Sequence, residues 1–195
     1  MRSLFSSIKH LPHLLLGLLI LPWAASSQPP ADTLLARRHL QLADSLKDIG
    51  QYDRASVHYS HAIKGFEASK NWHLYVKALS NLCANENEWG KAEKAITSGL
   101  KAVEVGTREL GENTLEVATA LYVTAYAYTQ AGRLDDARQH FEKCIGIMKS
   151  LLPEDDIKFA EVYEGYSEYF SELGDYDTQI DLLNKTLAIR YAIAI

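Results

Sequence analysis

Apolar residues recur at intervals of three and four along the chain from Thr33 onward, which is the spacing of one face of an α-helix. Pro153 is the only proline after residue 30, so these helices are separated by short turns rather than broken by proline. The turns contain glycine or asparagine, which end helices easily because they tolerate a left-handed backbone. The pattern therefore predicts an all-α chain with short connections.

One phrase occurs four times between pairs of predicted helices: a turn residue, an aromatic residue or leucine, a charged residue, and the start of a second apolar helix. The phrases are 50–55, 87–92, 132–137 and 174–179, so their final residues follow at intervals of 37, 45 and 42 residues. A large residue and then a small one follow each phrase: Tyr59 and Ala62, Ile96 and Gly99, Phe141 and Cys144, Leu183 and Thr186. A small residue also precedes each turn: Ala43, Ser80, Ala125, Ser167. These spacings let one helix nest closely against the next.

This pattern resembles the tetratricopeptide repeat (TPR), in which each unit is a pair of antiparallel helices. The resemblance implies a right-handed α-solenoid of about four helix-turn-helix repeats, with units near 33–70, 71–110, 113–152 and 156–195. Stacked units share the core that one unit alone cannot form. The last two units resemble the longer kinesin-light-chain-like variety. Residues 110–113 and 152–156 resemble the inter-repeat loops of that variety. There, Asn113 and either Asp155 or Asp156 are predicted to cap the following helices.

The first 27 residues have the composition of an export signal. Arg2 and Lys9 precede an apolar stretch at 11–25, and small residues follow it. This stretch is shorter than the ~20 apolar residues that a membrane-spanning helix needs. We therefore expect a signal peptide at 1–27 that contacts the membrane only transiently, a short leader at 28–32, and a repeat domain at 33–195. The expected location is periplasmic or secreted, with an uncleaved N-terminal membrane anchor as the alternative.

The sequence contains no recognisable catalytic or cofactor motif. We find no phosphate-binding loop, dinucleotide fingerprint, HExxH or GxSxG, so neither an enzyme nor a cofactor is expected. His58 and His61 could offer two metal ligands, but no third lies nearby, and no metal site is predicted. The formal net charge of −5 argues against nucleic-acid binding, which needs a basic face. Cys83 and Cys144 are interpreted as small buried residues, although a disulfide between them stays open.

If the first helices line a concave groove, as the resemblance implies, their outward residues form a site for a protein or peptide. In units two to four these are Lys77, Asn81, Asn85, Tyr122, Tyr126, Gln130, Glu161, Glu164, Glu168 and Glu172, and in unit one Arg37, Gln41, Asp44 and Asp48. Lys77 with Asn81 resembles half of the carboxylate clamp of TPR co-chaperones. Thr119 and Val123 occupy the places of its other residues, so binding of a chaperone tail is not predicted.

We call Glu161, Glu164, Glu168 and Glu172 the acidic stripe, because their spacing places them on one helix face. Like charges so arranged repel one another. One hypothesis is that a basic peptide lies along the stripe, with Tyr122 and Tyr126 as an aromatic platform. The alternative is a solvated face that aids solubility. Tyr163, Tyr166 and Phe170 face the other way and are interpreted as core.

The last nine residues, 187–195, are largely apolar and lack the polar cap with which solenoids usually end. Two explanations remain open: a homodimer through the C-terminal helix, or a truncated relative of a longer protein. The leading functional hypothesis is an exported protein-binding scaffold. The alternative is the sensor or assembly region of a longer signalling protein, here without its output domain.

Overall fold

The computed structural model describes residues 31–193, and these residues form eight α-helices without a strand. The helices are α1 (Ala31–Asp48), α2 (Tyr52–Ala68), α3 (Trp72–Glu88), α4 (Ala92–Leu110), α5 (Leu115–Gln130), α6 (Leu134–Leu151), α7 (Ile157–Leu173) and α8 (Tyr176–Ile193). The all-α repeat fold is thus confirmed. The predicted signal peptide at 1–27 lies outside the described residues.

The helices pack in two layers. Each first helix packs on the second helix of its own pair, and each second helix then packs on the first helix of the next pair. Consecutive first helices also contact one another: α1 with α3, α3 with α5, and α5 with α7. Among the eight described helices, no such contact joins α2 with α4, α4 with α6, or α6 with α8. The first helices therefore form the inner, concave layer and the second helices the outer one.

The structure corrects the repeat register in unit two. A glycine with positive φ ends each turn between paired helices, at Gly50, Gly90, Gly132 and Gly174. Five residues later stand Ala55, Ala95 and Ala137, all fully buried, and then Gln179. The phrase of unit two is therefore 90–95 rather than 87–92. The repeat intervals become 40, 42 and 42 residues instead of 37, 45 and 42, so every unit is of the longer kind.

The same shift changes the large-and-small pairs of the second helices. Tyr59 with Ala62 and Phe141 with Cys144 are fully buried, as expected. In unit two the large-and-small pair is Gly99 and Ala102 rather than Ile96 and Gly99. The small residue before the turn of unit two is Cys83 rather than Ser80. In unit four Leu183 is 37% exposed, because no described helix packs on that face of α8.

Of the N-caps of the inner helices α5 and α7, the first was predicted wrongly and the second correctly. The side chain of Thr114, not Asn113, caps α5 by accepting from Val117 N at 3.3 Å. Thr114 has the extended backbone that an N-cap needs, so Asn113 was the wrong residue by one position. Asp156, one of the two alternatives, caps α7 by accepting from Lys158 N at 2.9 Å.

The core confirms two further interpretations. Tyr166 is buried and its ring stacks on Phe141 at 4.6 Å between centroids, while Tyr163 and Phe170 pack partly buried against the same cluster. Cys83 and Cys144 are free, buried thiols, so they form no disulfide with each other.

Candidate binding groove

Three cavities lie along the first helices, and together they define what we call the groove. Two lie between α3 and α5: one of about 310 Å³ near Lys77 and Thr119, and one of about 130 Å³ near Glu88 and Tyr126. The third, of about 230 Å³, lies between α5 and α7 and is lined mainly by side chains of these two helices. Because the first helices leave these spaces open between them, the groove is a concave surface of the inner layer.

Side chains at one repeat position change their charge along the groove. Six residues before the small residue of each first helix stand Arg37, Lys77, Thr119 and Glu161, all of them exposed. This row passes from positive in units one and two, through a neutral residue, to negative in unit four. At this one repeat position the side-chain charge therefore reverses along the stack.

Lys77 and Asn81 both line the largest cavity, but only Lys77 is exposed there. The Asn81 amide Nδ2 donates to Asp44 Oδ1 at 2.9 Å, and the Tyr59 hydroxyl donates to the same oxygen at 2.7 Å. Asn81 therefore ties α3 to α1. Asp44, an expected groove residue of unit one, is the half-buried acceptor of both bonds.

Asn85 does not lie on the groove, and its assignment to the site was wrong. Its side chain is fully buried, and its Nδ2 donates to Tyr52 O at 3.0 Å and to Ser56 Oγ at 2.9 Å. Both acceptors belong to α2. The physical reason is the register error in unit two: counted from Cys83, residue 85 occupies the side of α3 that faces the preceding second helix.

Tyr122 and Tyr126 are half-buried and line the smallest cavity. The Tyr122 ring lies against α7, where a Cβ on Gly165 would come within 2.8 Å of Tyr122 Cε2. Burial, and after it the carboxylate of Glu161, raise the pKa of the Tyr122 hydroxyl. Burial, followed by the nearby carboxylate of Glu168, raises the pKa of Tyr126 to about 12. Both shifts are caused mainly by burial, and carboxylates of α7 add to it.

The acidic stripe is exposed along α7, but its carboxylates differ in their partners. Arg190 of α8 pairs with Glu164 at 2.5 Å between Nη2 and Oε2. Gln130 Nε2 donates to Glu168 Oε2 at 3.5 Å. Within residues 31–193, no cation lies within 4.0 Å of the carboxylates of Glu161, Glu168 or Glu172 in an ion pair. The repulsive charge of the stripe is therefore offset at one position only.

Sequence reasoning missed two residues of the groove, Asn87 and Glu88, which line the smallest cavity beside Tyr126. Glu88 also pairs with Lys47 Nζ at 3.2 Å. Counting from Cys83 as the small residue of α3 would have identified Glu88 as a groove residue. Glu88 then stands at the repeat position of Gln130 and Glu172.

His58 and His61 lie beside a third histidine, His39, which the sequence pattern did not reveal. His39 of α1 lies with its Nδ1 2.9 Å from His58 Nδ1 and stacks on the rings of His58 and His61 at 5.1 and 4.9 Å. In the described part of the chain, no three His, Cys, Asp or Glu side chains are arranged to hold a metal ion. None of the described helices combines the length and apolarity needed to cross a bilayer.

Paired helices, an inner layer of first helices and an open groove define a helical-repeat solenoid. The tetratricopeptide-repeat family model matches residues 74–150, and solved TPR and kinesin-light-chain-like structures share the fold. Residues 74–150 thus match the tetratricopeptide repeat, and the described residues share the fold of solved kinesin-light-chain-like repeat structures.

Solved structures match most of the chain at low identity. BtubC (BKLC) from P. vanneervenii superposes with a TM-score of 0.67 at 19% identity, over 87% of this chain and 68% of that one. The kinesin-light-chain TPR-like repeats of Podosopora anserina give 0.66 at 16%, over 84% and 78%. A yeast Sti1 TPR2AB domain, solved in complex with pHSP90, gives 0.50 at 18%, over 80% and 78%. These likenesses concern the fold alone. No curated protein sequence matches significantly.

Proposed function

We propose that the chain is an exported scaffold that binds an extended segment of another protein in the groove. The observation that carries this proposal is the group of three neighbouring cavities in the inner layer, two between α3 and α5 and one between α5 and α7. An extended segment that crosses the inner layer can place several side chains in such cavities. The Sti1 TPR structure, itself a complex with pHSP90, illustrates that the fold can hold a protein ligand.

Photo-crosslinking tests this proposal directly. We expect a crosslinking amino acid in place of Tyr122 in the groove to capture a partner from the cell that makes the chain. The same probe in place of Gln139, exposed on the outer layer, serves as the matched control and should capture nothing. Capture from Gln139 with none from Tyr122 would place the binding surface on the outer layer and refute the proposal.

Charge at the acidic stripe supports a basic segment as the partner in unit four. Glu168 lacks a cation partner among the described residues, whereas Arg190 already compensates Glu164. Removing the Glu168 charge should therefore weaken a basic partner more than removing the Glu164 charge, with a larger difference at low salt. Affinities of the partner for Glu168→Gln and Glu164→Gln measure this. Equal affinity of both variants and the parent chain would favour the solubility hypothesis.

Export is proposed from the sequence of residues 1–27, which lie outside the described residues. Arg2 and Lys9, the apolar stretch at 11–25 and the small residues behind it support cleavage between Ala25 and Gln28. Mass spectrometry of the chain from the exported fraction should find a new N-terminus in that interval. A full-length chain that fractionates with membranes would support the uncleaved anchor.

An apolar face of α8 supports a second proposal, pairing with another copy. Tyr176, Ile180, Leu183, Leu187 and Tyr191 are exposed and lie on one helix face, which we call the α8 face. The matching positions in α2 and α6 hold Tyr59 and Phe141, which are fully buried at the junction with the next unit. The α8 face thus has the chemistry of a unit junction without a described helix on it.

Sedimentation equilibrium of residues 28–195 tests the pairing. We expect concentration-dependent dimers that Leu183→Glu abolishes, while Leu100→Glu, a matched change at an exposed leucine on the outer side of α4, leaves them intact. A monomer at all concentrations would contradict the pairing. It would count equally against the alternative hypothesis of a truncated longer protein, because its uncovered α8 face should also associate.

A further inference from the structure

One face of α1 is exposed although its counterparts in the later first helices are buried. It consists of Leu35, Arg38, Leu42 and Ser45, which follow one another at helical spacing and which we call the α1 face. Leu35 is 55% exposed and Leu42 is 45% exposed. Counted from the small residue of each first helix, the residues at the place of Leu35 are Tyr75, Val117 and Phe159, and those at the place of Leu42 are Leu82, Thr124 and Tyr166. All six are buried.

The second helix of the preceding unit covers these places in the later units. A Cβ on Gly106 of α4 would lie 2.9 Å from Val117 Cγ2 of α5. The Phe141 ring of α6 stacks on the Tyr166 ring of α7 at 4.6 Å between centroids. The α1 face has no such cover, because α2 and α3 are the only described helices that contact α1. The α1 face is therefore half of a unit junction.

The α8 face supplies the other half of such a junction. Leu183 stands at the place of Gly99 in α4 and Phe141 in α6. In α4 this place lies against Thr124 of the next first helix, and in α6 it lies against Tyr166. No described first helix follows α8, so Leu183 is left exposed. Each of the two faces thus presents the surface that the other lacks.

We propose that copies of this chain stack head to tail, with the α8 face of one copy on the α1 face of the next. Leu183 then lies against Leu42 of the neighbouring copy, and the two leucines take the places of Phe141 and Tyr166. This contact repeats a junction that the fold already makes three times, between α2 and α3, α4 and α5, and α6 and α7. The inference rests on the proposed pairing of the α8 face and names the surface that this face meets.

Head-to-tail stacking differs from a symmetric pair of α8 faces in what it leaves free. A stack of any length still exposes one α1 face and one α8 face, so the dimer is the shortest member of an open row. A symmetric pair uses both α8 faces and stops at the dimer. Such a pair leaves Leu35 and Leu42 uncovered, whereas the stack buries them as their counterparts are buried. The exposed leucines of α1 therefore favour the stack.

Arg38 sets the strength of this contact. Its counterparts Ala78, Ala120 and Val162 are buried, whereas Arg38 brings a charge to the α1 face. Covering a charge costs free energy, so the contact between copies is weaker than the junctions within the chain. Arg38→Ala should therefore tighten the association several-fold. Arg37→Ala removes the same charge from the neighbouring groove position and should leave the association unchanged.

Sedimentation equilibrium of the expected mature chain, residues 28–195, tests the stack. The parent chain should form dimers and then longer rows as its concentration rises. Leu42→Glu and Leu183→Glu should each be monomeric alone, because each loses one of the two faces. An equimolar mixture of the two variants should form dimers and nothing longer, since one intact α8 face meets one intact α1 face. Dimers in the mixture also show that both variants fold.

The outcomes separate failure of the stack from failure of the α8 pairing. If Leu42→Glu associates as strongly as the parent while Leu183→Glu does not, the α8 face pairs but the head-to-tail stack is wrong. A mixture that stays monomeric, or equal effects of Arg38→Ala and Arg37→Ala, would also overturn the stack. A monomeric parent chain would refute both the stack and the pairing. None of these results bears on the groove, which crosslinking at Tyr122 tests separately.

Discussion

Gly99 is the residue at which the packing of unit two is most easily broken. It lies inside α4 at the repeat position where α2 has Tyr59 and α6 has Phe141. A Cβ on Gly99 would overlap Thr124 Oγ1 and lie 3.1 Å from Thr124 Cβ. Thr124 is fully buried and β-branched, so it has little freedom to move away. Gly99→Ala should therefore destabilise the junction between α4 and α5.

Two opposing effects set the size of this loss. Overpacking a well-packed core costs about 1–3 kcal/mol, whereas alanine favours a helix interior over glycine by about 1 kcal/mol. The Thr124 hydroxyl donates to Ala120 O at 2.6 Å, so turning it aside also loses a buried hydrogen bond. The net expectation is a free energy of unfolding lower by about 1–2 kcal/mol. For a chain of this size, the midpoint falls by about 2–4 °C per kcal/mol.

Urea unfolding followed by far-UV circular dichroism measures the change, with Gly146→Ala as the matched control. Gly146 lies inside α6, and a Cβ there meets no atom within 4 Å. Gly146→Ala should therefore raise stability by up to about 1 kcal/mol. Adding Thr124→Ala to Gly99→Ala should cost less than the two single changes together, because the new methyl group fills the space of the old one. Equal stabilities of Gly99→Ala and Gly146→Ala would refute the reasoning.

Three further outcomes are expected. Asn87→Leu should raise the free energy of unfolding by about 1 kcal/mol, because it removes a buried acceptor without a partner, and a loss in urea unfolding would show that Oδ1 is paired in solution. Gly165→Ala should lower the affinity of a groove partner several-fold in titration calorimetry while stability changes little, since the new Cβ displaces the outer edge of the Tyr122 ring. Unchanged affinity would place Tyr122 outside the site. The free energy of unfolding should fall above about pH 9. Burial raises the pKa of Cys144 and of Tyr166 to about 12 in the folded chain, whereas the same groups release protons near 9.0 and 10.0 when unfolded. Unfolding midpoints that stay constant up to pH 11 would contradict this.

The fold was readable from the sequence because every unit repeats the same buried positions. Ala55 and Ala137 stand at equal distances after Gly50 and Gly132, and burial at each of them follows from helix crossing alone. One error arose where two alternatives fitted the same pattern. Ala92 and Ala95 lie three residues apart on one helix face, so either could serve as the small residue of unit two.

The groove was harder to read, because its residues depend on how separate helices meet. The three-residue error turned Asn85 toward the supposed groove and concealed Glu88, although both lie on a helix that was correctly predicted. Arg190 with Glu164 shows a second cause: the two residues are 26 positions apart, and only the crossing of α8 with α7 brings them together. Periodicity within one helix identifies a face, but it does not identify the charges on the neighbouring helix.

The division between buried and groove positions also explains why one fold can present an oriented site. Most buried positions are small or apolar, whereas groove positions are free of that demand. The row from Arg37 and Lys77 through Thr119 to Glu161 uses this freedom, since the same place in four similar units changes from positive to negative. A segment with one acidic and one basic end would be favoured in a single direction, with its basic end on unit four.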